Sequence, residues 1–442
     1  MSAETPPGGG RATRTETEVC VVGGGPGGRA LARALTRLGR DVVLLEKRDP
    51  AKSAGPSFRG ESVSPDGVRL LDGLGVLGRV REAAHRVDRL EIQDAGRKVL
   101  DVRFAGFPYA YRHPVELAQP ALLSALAEPV RGPGAGRCAV LAPATAVGLL
   151  RKDGAVTGVR AGTPEGPVEI RAALTVGADG RYSAVRRMAG LDAHARRTPL
   201  ERDVIWLKLP FPEAWDRRAY RVRISRGSHG LFLPSTDGTV RVGLNIPKGG
   251  LRELRSGGAG PGVLRERLAK LAPEAAEAAR EGLRTWSDTA LLDIFTTEVA
   301  RWWVPGLVLI GDAAHTLSPI LGQGVNHALA DAVALAPLVA EALGSGGAPT
   351  PAGVRAPAGV LEAFQRGRKG DVARSRALQV RQERMFTLAA PAAAVLRRTV
   401  YRAVNSSPAL QRRVLAPAYF PGRRPLPRTE AAAGGPREAE PV

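Results

Sequence analysis

The stretch from Val19 to Glu46, VCVVGGGPGGRALARALTRLGRDVVLLE, leaves the chain little freedom. Val19, Cys20, Val21 and Val22 are a short apolar run of the kind that becomes a buried parallel strand, and they lead straight into Gly23, Gly25 and Gly28, which fit G-x-G-x-x-G. Leu31, Ala34, Leu35 and Leu38 then recur at helical spacing, so one face of a helix packs on a sheet, and Gly39 stands where a left-handed cap is expected. Val42 to Leu45 is a second strand, closed by Glu46. In such a βαβ unit Gly23 makes the tight turn, Gly25 lets a pyrophosphate approach the backbone, and Gly28 lets helix and strand close up. The helix start adds free N–H groups and a positive dipole end for phosphates. Glu46 lies 18 residues past Gly28, close to the roughly 20 expected of the acidic residue that takes both ribose hydroxyls. The unit implies an adenine dinucleotide and by itself leaves FAD and NAD open.

At 442 residues the chain has room for two domains, or one with a long insertion. Its formal charge of +21 raises the question of nucleic acid. Only eight of the 64 basic residues are lysine, however, and the arginines are scattered through every segment rather than gathered in blocks, so the charge reads as solvated surface. Cys20 and Cys138 make neither a disulfide framework nor a metal site. The first eighteen residues lack the apolar core of a signal peptide, and the best candidate span, Val325 to Leu343, is broken by Asn326, His327, Asp331 and Glu341. The expectation is a cytoplasmic protein with no transmembrane segment, no nucleic-acid partner and no metal.

Arg59 stands in the polar loop after Glu46, where a guanidinium can reach a dinucleotide or simply be solvated. Ser64 and Pro65 then start a helix. Leu90 to Phe104 reads as a hairpin and Gln119 to Ala127 as a helix; Val140 to Leu150 and Val156 to Val159 read as strands around Asp153-Gly154. In LTVGADGRYSAVRRMAG, from Leu174 to Gly190, a buried strand delivers Asp179-Gly180 to a helix that begins at Ser183. Asp203 to Pro247 alternates as antiparallel strands, with an Asp-Gly hairpin in STDGT, and is expected to form a sheet with one wet face over a substrate. A polar helical segment over 251–281 and a strand from Leu291 to Glu298 follow. Leu307 to Ile310 is an apolar strand ending in Gly311-Asp312, and Pro319 leads to Gly322-Gln323-Gly324 at the mouth of a long helix, a second place for negative charge. Pro337 is expected to kink that helix near Val333.

GGGPGG at 23–28, ADGRYSAVRR at 178–187 and the string LIGDAAH…P…GQGVN over 309–326 together resemble the FAD-dependent monooxygenases of the single-component aromatic hydroxylase family, p-hydroxybenzoate hydroxylase-like, across roughly residues 17–345. The resemblance implies an α/β fold with a Rossmann-like FAD-binding domain built on a parallel sheet, an inserted antiparallel β-sheet substrate domain, and C-terminal helices. The divisions expected are a flexible N-terminus (1–17), the first part of the FAD domain (18–200), the substrate domain (201–298), the second part of the FAD domain (299–345), a helical region (346–425) and a disordered tail (426–442).

The cofactors implied are FAD and NAD(P)H, and the co-substrates O2 and an electron-rich aromatic or polyketide-like small molecule. The reaction implied is hydride transfer to FAD, capture of O2 as a flavin hydroperoxide, and delivery of one oxygen atom. The residues implied at the cofactor are Gly23, Gly25, Pro26, Gly28, Glu46, Lys47, Arg59, Gln119, Asp179, Gly311, Asp312, Pro319, Gly322, Gly324, Val325 and Asn326. Asp312 takes the ribityl chain in this scheme, Pro319 lies against the flavin, and the backbone of Gly324, Val325 and Asn326 faces its pyrimidine edge. No residue receives a catalytic role, and His315, His327, Trp302 and Trp303 read as packing. Which of Trp206, Phe232, Arg221 and Arg223 points at the substrate stays open. The alternatives are a halogenase, which shares a Gly-Glu-Ser like Gly60-Glu61-Ser62 but needs a lysine where only Lys98 is present, and an ene reductase of the same fold.

Overall fold

The computed structural model describes residues 13–49, 62–225, 227–256, 260–319, 322–344, 356–388 and 390–421. Arg59, Gly60, Glu61 and the tail after Gly422 fall outside the described residues.

The apolar runs build a parallel sheet. Its central strands Gly166–Gly177, Thr13–Val22, Val42–Leu45 and Cys138–Leu141 lie side by side in that order, with Leu307–Leu309 parallel on the other side of Gly166–Gly177. Helix Pro26–Arg37 crosses from the first strand to the second and buries Leu31 and Leu35 completely, while Gly39 carries the left-handed φ of +77° its position calls for. Val140 to Leu150 is two strands rather than one. Cys138–Leu141 joins the parallel sheet, and past Pro143 the strand Thr145–Lys152 joins Ala155–Thr163 as an antiparallel ribbon on Gly166–Gly177.

A second sheet has seven strands: Thr289–Leu292, Arg202–Pro210, Thr239–Pro247, Ser228–Pro234, Ala219–Ser225, Arg89–Asp94 and Arg97–Arg103. It therefore recruits the hairpin over 89–103, which precedes the segment 201–298. Neither face is wet. One face, with Ile205, Leu207, Phe232 and Val242, is covered by the helices over 250–282 through Leu264, Leu268 and Ala279. The other, with Trp206, Tyr220 and Leu231, packs against Phe386, Tyr401 and Phe420 of the C-terminal helices. The expected polar–apolar alternation is there, but its charged positions are buried: Arg223 lies 3% exposed, bonded to Glu91 at 2.7 Å and Glu274 at 3.1 Å.

The long helix Gln323–Ala342 runs on through Pro337 and packs on Pro26–Arg37, where a Cβ on Gly27 would come within 3.2 Å of the Ala328 side chain. Helices Ala358–Thr387, Pro391–Ser406 and Pro408–Tyr419 complete the described chain. No helix among the described residues is long and apolar enough to cross a membrane.

Candidate active site

The three glycine-containing motifs meet at the carboxyl ends of the parallel strands, the edge where open α/β sheets bind ligands. Backbone bonds stitch them together: Gly23 N–H donates to Leu45 O at 2.8 Å, Ala178 N–H to Val22 O at 2.8 Å, and Ile310 N–H to Gly177 O at 2.9 Å. Gly23 adopts φ +113°, and a Cβ there would sit 2.4 Å from Ala178 O, so the first turn and the Asp-Gly turn require each other's closeness. A Cβ on Gly28 would lie 1.9 Å from Gly23 O. At Gly25 the same construction meets nothing within 4 Å.

Around this turn Pro26 is the first residue of its helix. Glu46, at the end of the second strand, accepts from Gly24 N–H and from Arg48 N–H, both at 2.8 Å, and Lys47 beside it is exposed. Asp179 spends its carboxylate on the next helix, accepting from Ser183 Oγ–H and from the N–H groups of Ala184 (2.7 Å) and Val185 (3.0 Å). Asp312 has one carboxylate oxygen 3.4 Å from Arg181 Nε and the other beneath Gly324, at 3.9 Å from where a Cβ would be. Gly311 N–H is held by Asp331 at 2.8 Å. Gly322 caps the long helix with φ +61°, its Cα facing Ser62. The Asn326 side chain ties the loop to the helix start: Oδ1 accepts from Ser64 N–H at 2.9 Å and Nδ2 donates to Gly322 O at 3.1 Å. Gln119 opens its helix as expected.

The histidines are packing groups. His315 meets Asp331 at 2.7 Å, and His327 lies between Ser375 at 2.7 Å and Arg368 at 3.2 Å. Burial, with His315 and Arg368 beside it, pushes His327 down to about 3. Burial works against the Asp331 anion, yet His315 and Arg368 hold its carboxyl well below the usual carboxylate range. Trp302 is fully enclosed, tilted against His315 and edge-on to Phe364.

Next to these strand ends a pocket opens on the second sheet, lined by Trp206, His229, Leu231, Asn245, Pro319 and Glu383 among others. Trp206 is thus the inward residue of the four in question. Phe232, Arg221 and Arg223 belong to the opposite face, where Arg221 lies over Trp215 with 4.8 Å from guanidinium to ring centroid. Lys98 is on that far face too, 3.3 Å from Asp101 and 3.6 Å from Glu91. Beside the pocket is a buried cluster that the sequence reading passed over: Glu116 accepts from Tyr220 Oη–H (2.7 Å), Ser62 Oγ–H (2.5 Å) and Arg241 (2.9 Å), and Arg241 lies over Trp206. Its signal was Arg241 between Val240 and Val242, a charge on the inward side of an apolar strand. Burial and Glu116 drive the Tyr220 hydroxyl well above its ordinary pKa.

A family model described as an FAD binding domain matches residues 16–350. The chain is also 34% identical to 6-methylpretetramide 4-monooxygenase of Streptomyces rimosus over 394 residues, 89% of this chain and 90% of that protein. It belongs to the FAD-dependent monooxygenases. The monooxygenase is further 29% identical to 3-demethoxyubiquinol 3-hydroxylase of Escherichia coli, over 75% of this chain and 81% of that one. Its fold matches PqsL of P. aeruginosa, solved in complex with 2-aminobenzoylacetate, with a TM-score of 0.73 at 23% identity, covering 89% of this chain and 100% of that one. The residues at the strand ends fit FAD. The space beyond Gly25 is open, the adjacent helix begins at a proline that has no N–H to satisfy, and a carboxylate stands at each of two strand ends, Glu46 and Asp312.

Proposed function

We propose that this monooxygenase uses NAD(P)H and O2 to insert one oxygen atom into an electron-rich aromatic or polyketide-like small molecule. The reading rests above all on the pocket at Pro319, where the turn into the long helix meets the Trp206 face of the antiparallel sheet. In this reading the substrate meets the flavin at that junction. FAD supplies the electron carrier and the oxygen chemistry that side chains lack.

The chain's own residues bind and orient it. The turn Gly23-Gly25-Pro26-Gly28 and the helix start take the diphosphate, Glu46 takes the ribose with Lys47 next to it in sequence, Asp312 takes the ribityl chain, and Arg59 is the loop arginine assigned to the cofactor. Gln119, Gly311 and the backbone of the Asp179 turn complete the bed. Gly322 opens the long helix, and its first N–H groups, through Gly324, Val325 and Asn326, have no partner inside the helix and favour negative charge on the ring edge. Pro319, Trp206 and Leu231 keep water from the chamber. The relatives named above act on 6-methylpretetramide and 3-demethoxyubiquinol, which supports a ring-bearing substrate here.

NADPH oxidation by the yellow holoenzyme, screened against phenols, quinols and aromatic polyketides, should be stimulated by one of these classes, without halide and unchanged in Lys98→Ala. Halogenated product formed with bromide or chloride and a separate flavin reductase, and lost in Lys98→Ala, would overturn it.

A further inference from the structure

Half of the large hydrophobic side chains exposed among the described residues fall in one stretch. Val395 (58%), Leu396 (63%) and Val400 (41%) stand out from helix Pro391–Ser406, and Leu410 and Val414 from helix Pro408–Tyr419, which follows it. Single exposed aliphatics are ordinary on a folded chain; a cluster is not. On the first helix they make a face. Ala392, Val395, Leu396, Thr399, Val400 and Ala403 recur at helical spacing and are all exposed. The opposite side is already used: Arg397 is sealed against Asp94, and Tyr401 and Val404 pack on the second sheet. A helix that is apolar on both sides is ordinarily covered on both, so the outer face calls for a cover.

Charge selects the cover. From Arg384 to Thr429 the chain carries nine arginines, no lysine, and neither an aspartate nor a glutamate. Arg402 is exposed on the flank of the apolar face, and Arg412 and Arg413 are exposed on the next helix. Placed patch to patch, a second copy would bring arginine to arginine with no carboxylate to answer it. A protein partner would be gripped by exposed aromatic side chains, yet Tyr401, Tyr419 and Phe420 all turn inward. An anionic bilayer asks only for aliphatic volume to enter between its headgroups and positive charge to lie among them. At 16 residues the first helix is roughly 24 Å long, short of a hydrocarbon core of about 30 Å, so it would lie along such a surface and not cross it.

We propose that helix Pro391–Ser406, together with the start of helix Pro408–Tyr419, docks this monooxygenase on an anionic phospholipid surface. Val395, Leu396 and Val400 enter the headgroup layer, and Arg402, Arg412 and Arg413 meet lipid phosphates. The Arg397–Asp94 bond holds the first helix on the sheet from behind, so docking needs no rearrangement of it. None of these residues belongs to the strand-end cofactor site, so docking and turnover are separable.

The test is flotation of the full-length, FAD-loaded protein with vesicles of phosphatidylcholine alone or of phosphatidylcholine mixed with phosphatidylglycerol. The protein should float with the mixed vesicles at low salt, bind the neutral ones about tenfold or more weakly, and be released as salt rises. Leu396→Ser with Val400→Ser should weaken binding to the mixed vesicles about tenfold or more. Arg402→Gln with Arg413→Gln should weaken it about thirtyfold, about fivefold for each charge removed. Both double variants should keep wild-type FAD content and NADPH oxidation; should one lose FAD, the other decides. No binding to mixed vesicles at low salt, or undiminished binding in a double variant that retains FAD, overturns the proposal. So does a concentration-dependent dimer that Leu396→Ser with Val400→Ser abolishes, because a second copy then covers the face. Failure of docking leaves the monooxygenase reading standing.

Discussion

Gly25 and Gly28 stand three residues apart in one turn and are glycine for different reasons. A side chain at Gly28 would collide with Gly23 O, whereas one at Gly25 would project into open space from an ordinary φ of −74°. Gly25→Val should therefore give a folded, colourless protein, and Gly28→Ala should lower the melting temperature of the apoprotein itself; circular dichroism melts with flavin absorbance separate the two. A fully flavinated Gly25→Val would remove the cofactor from this turn. Asp312 lies 3.4 Å from Arg181 and faces the start of the long helix. Asp312→Ala should weaken FAD retention by about 1–3 kcal/mol, the cost of one unmet polar contact, with no new pH dependence of turnover. Wild-type FAD affinity together with a lost kinetic pKa would reassign the residue to proton transfer.

At the scale of elements, the C-terminal helices are fastened to the second sheet by Arg397, whose guanidinium reaches both oxygens of Asp94 at 2.9 and 3.0 Å, with both side chains at most 2% exposed. Asp94→Ala leaves a buried guanidinium uncompensated and should cost on the order of 3 kcal/mol in urea unfolding. The pair Asp94→Leu with Arg397→Met should recover most of that. A loss below about 0.5 kcal/mol would mean the charge escapes to water. This tie was invisible in the sequence because its partners are 303 positions apart. The βαβ unit, the Asp-Gly turn and the STDGT hairpin were legible because each is set by neighbours within one or two turns of chain. The burial of both faces of the second sheet was not, since Arg221 and Arg223 look solvated until the helices over 250–282 and the Glu91 carboxylate are brought against them. For the same reason Trp206 could not be separated from Phe232 by pattern alone: they lie on opposite faces of one sheet, and only the strand register decides which face meets Pro319.

For the whole molecule, three histidines, the buried His229 and His327 and the partly buried His113, contribute to the acid side of stability. His229 and His327 are held at about 3, and His113 is lowered by burial and by Arg86. Their folded values lie below the unfolded value of about 6.5, so the unfolded chain binds protons first. Stability should be full above that pH and decline as pH falls from about 6.5 toward 3. Urea midpoints that stay level between about pH 7.5 and 5.5 would contradict this. Of the site, the sequence motifs located the strand-end glycines and both carboxylates, but Asp331 behind Gly311 and the Glu116–Arg241 cluster beside Trp206 emerged only once distant elements were packed together. The central claim, that this site couples NAD(P)H to oxygenation of an aromatic substrate, is tested most directly by running the reaction under isotopically labelled O2 with a substrate that stimulates NADPH oxidation. One labelled oxygen atom should appear in the product, in the absence of halide; a reduced or halogenated product without label would contradict the account.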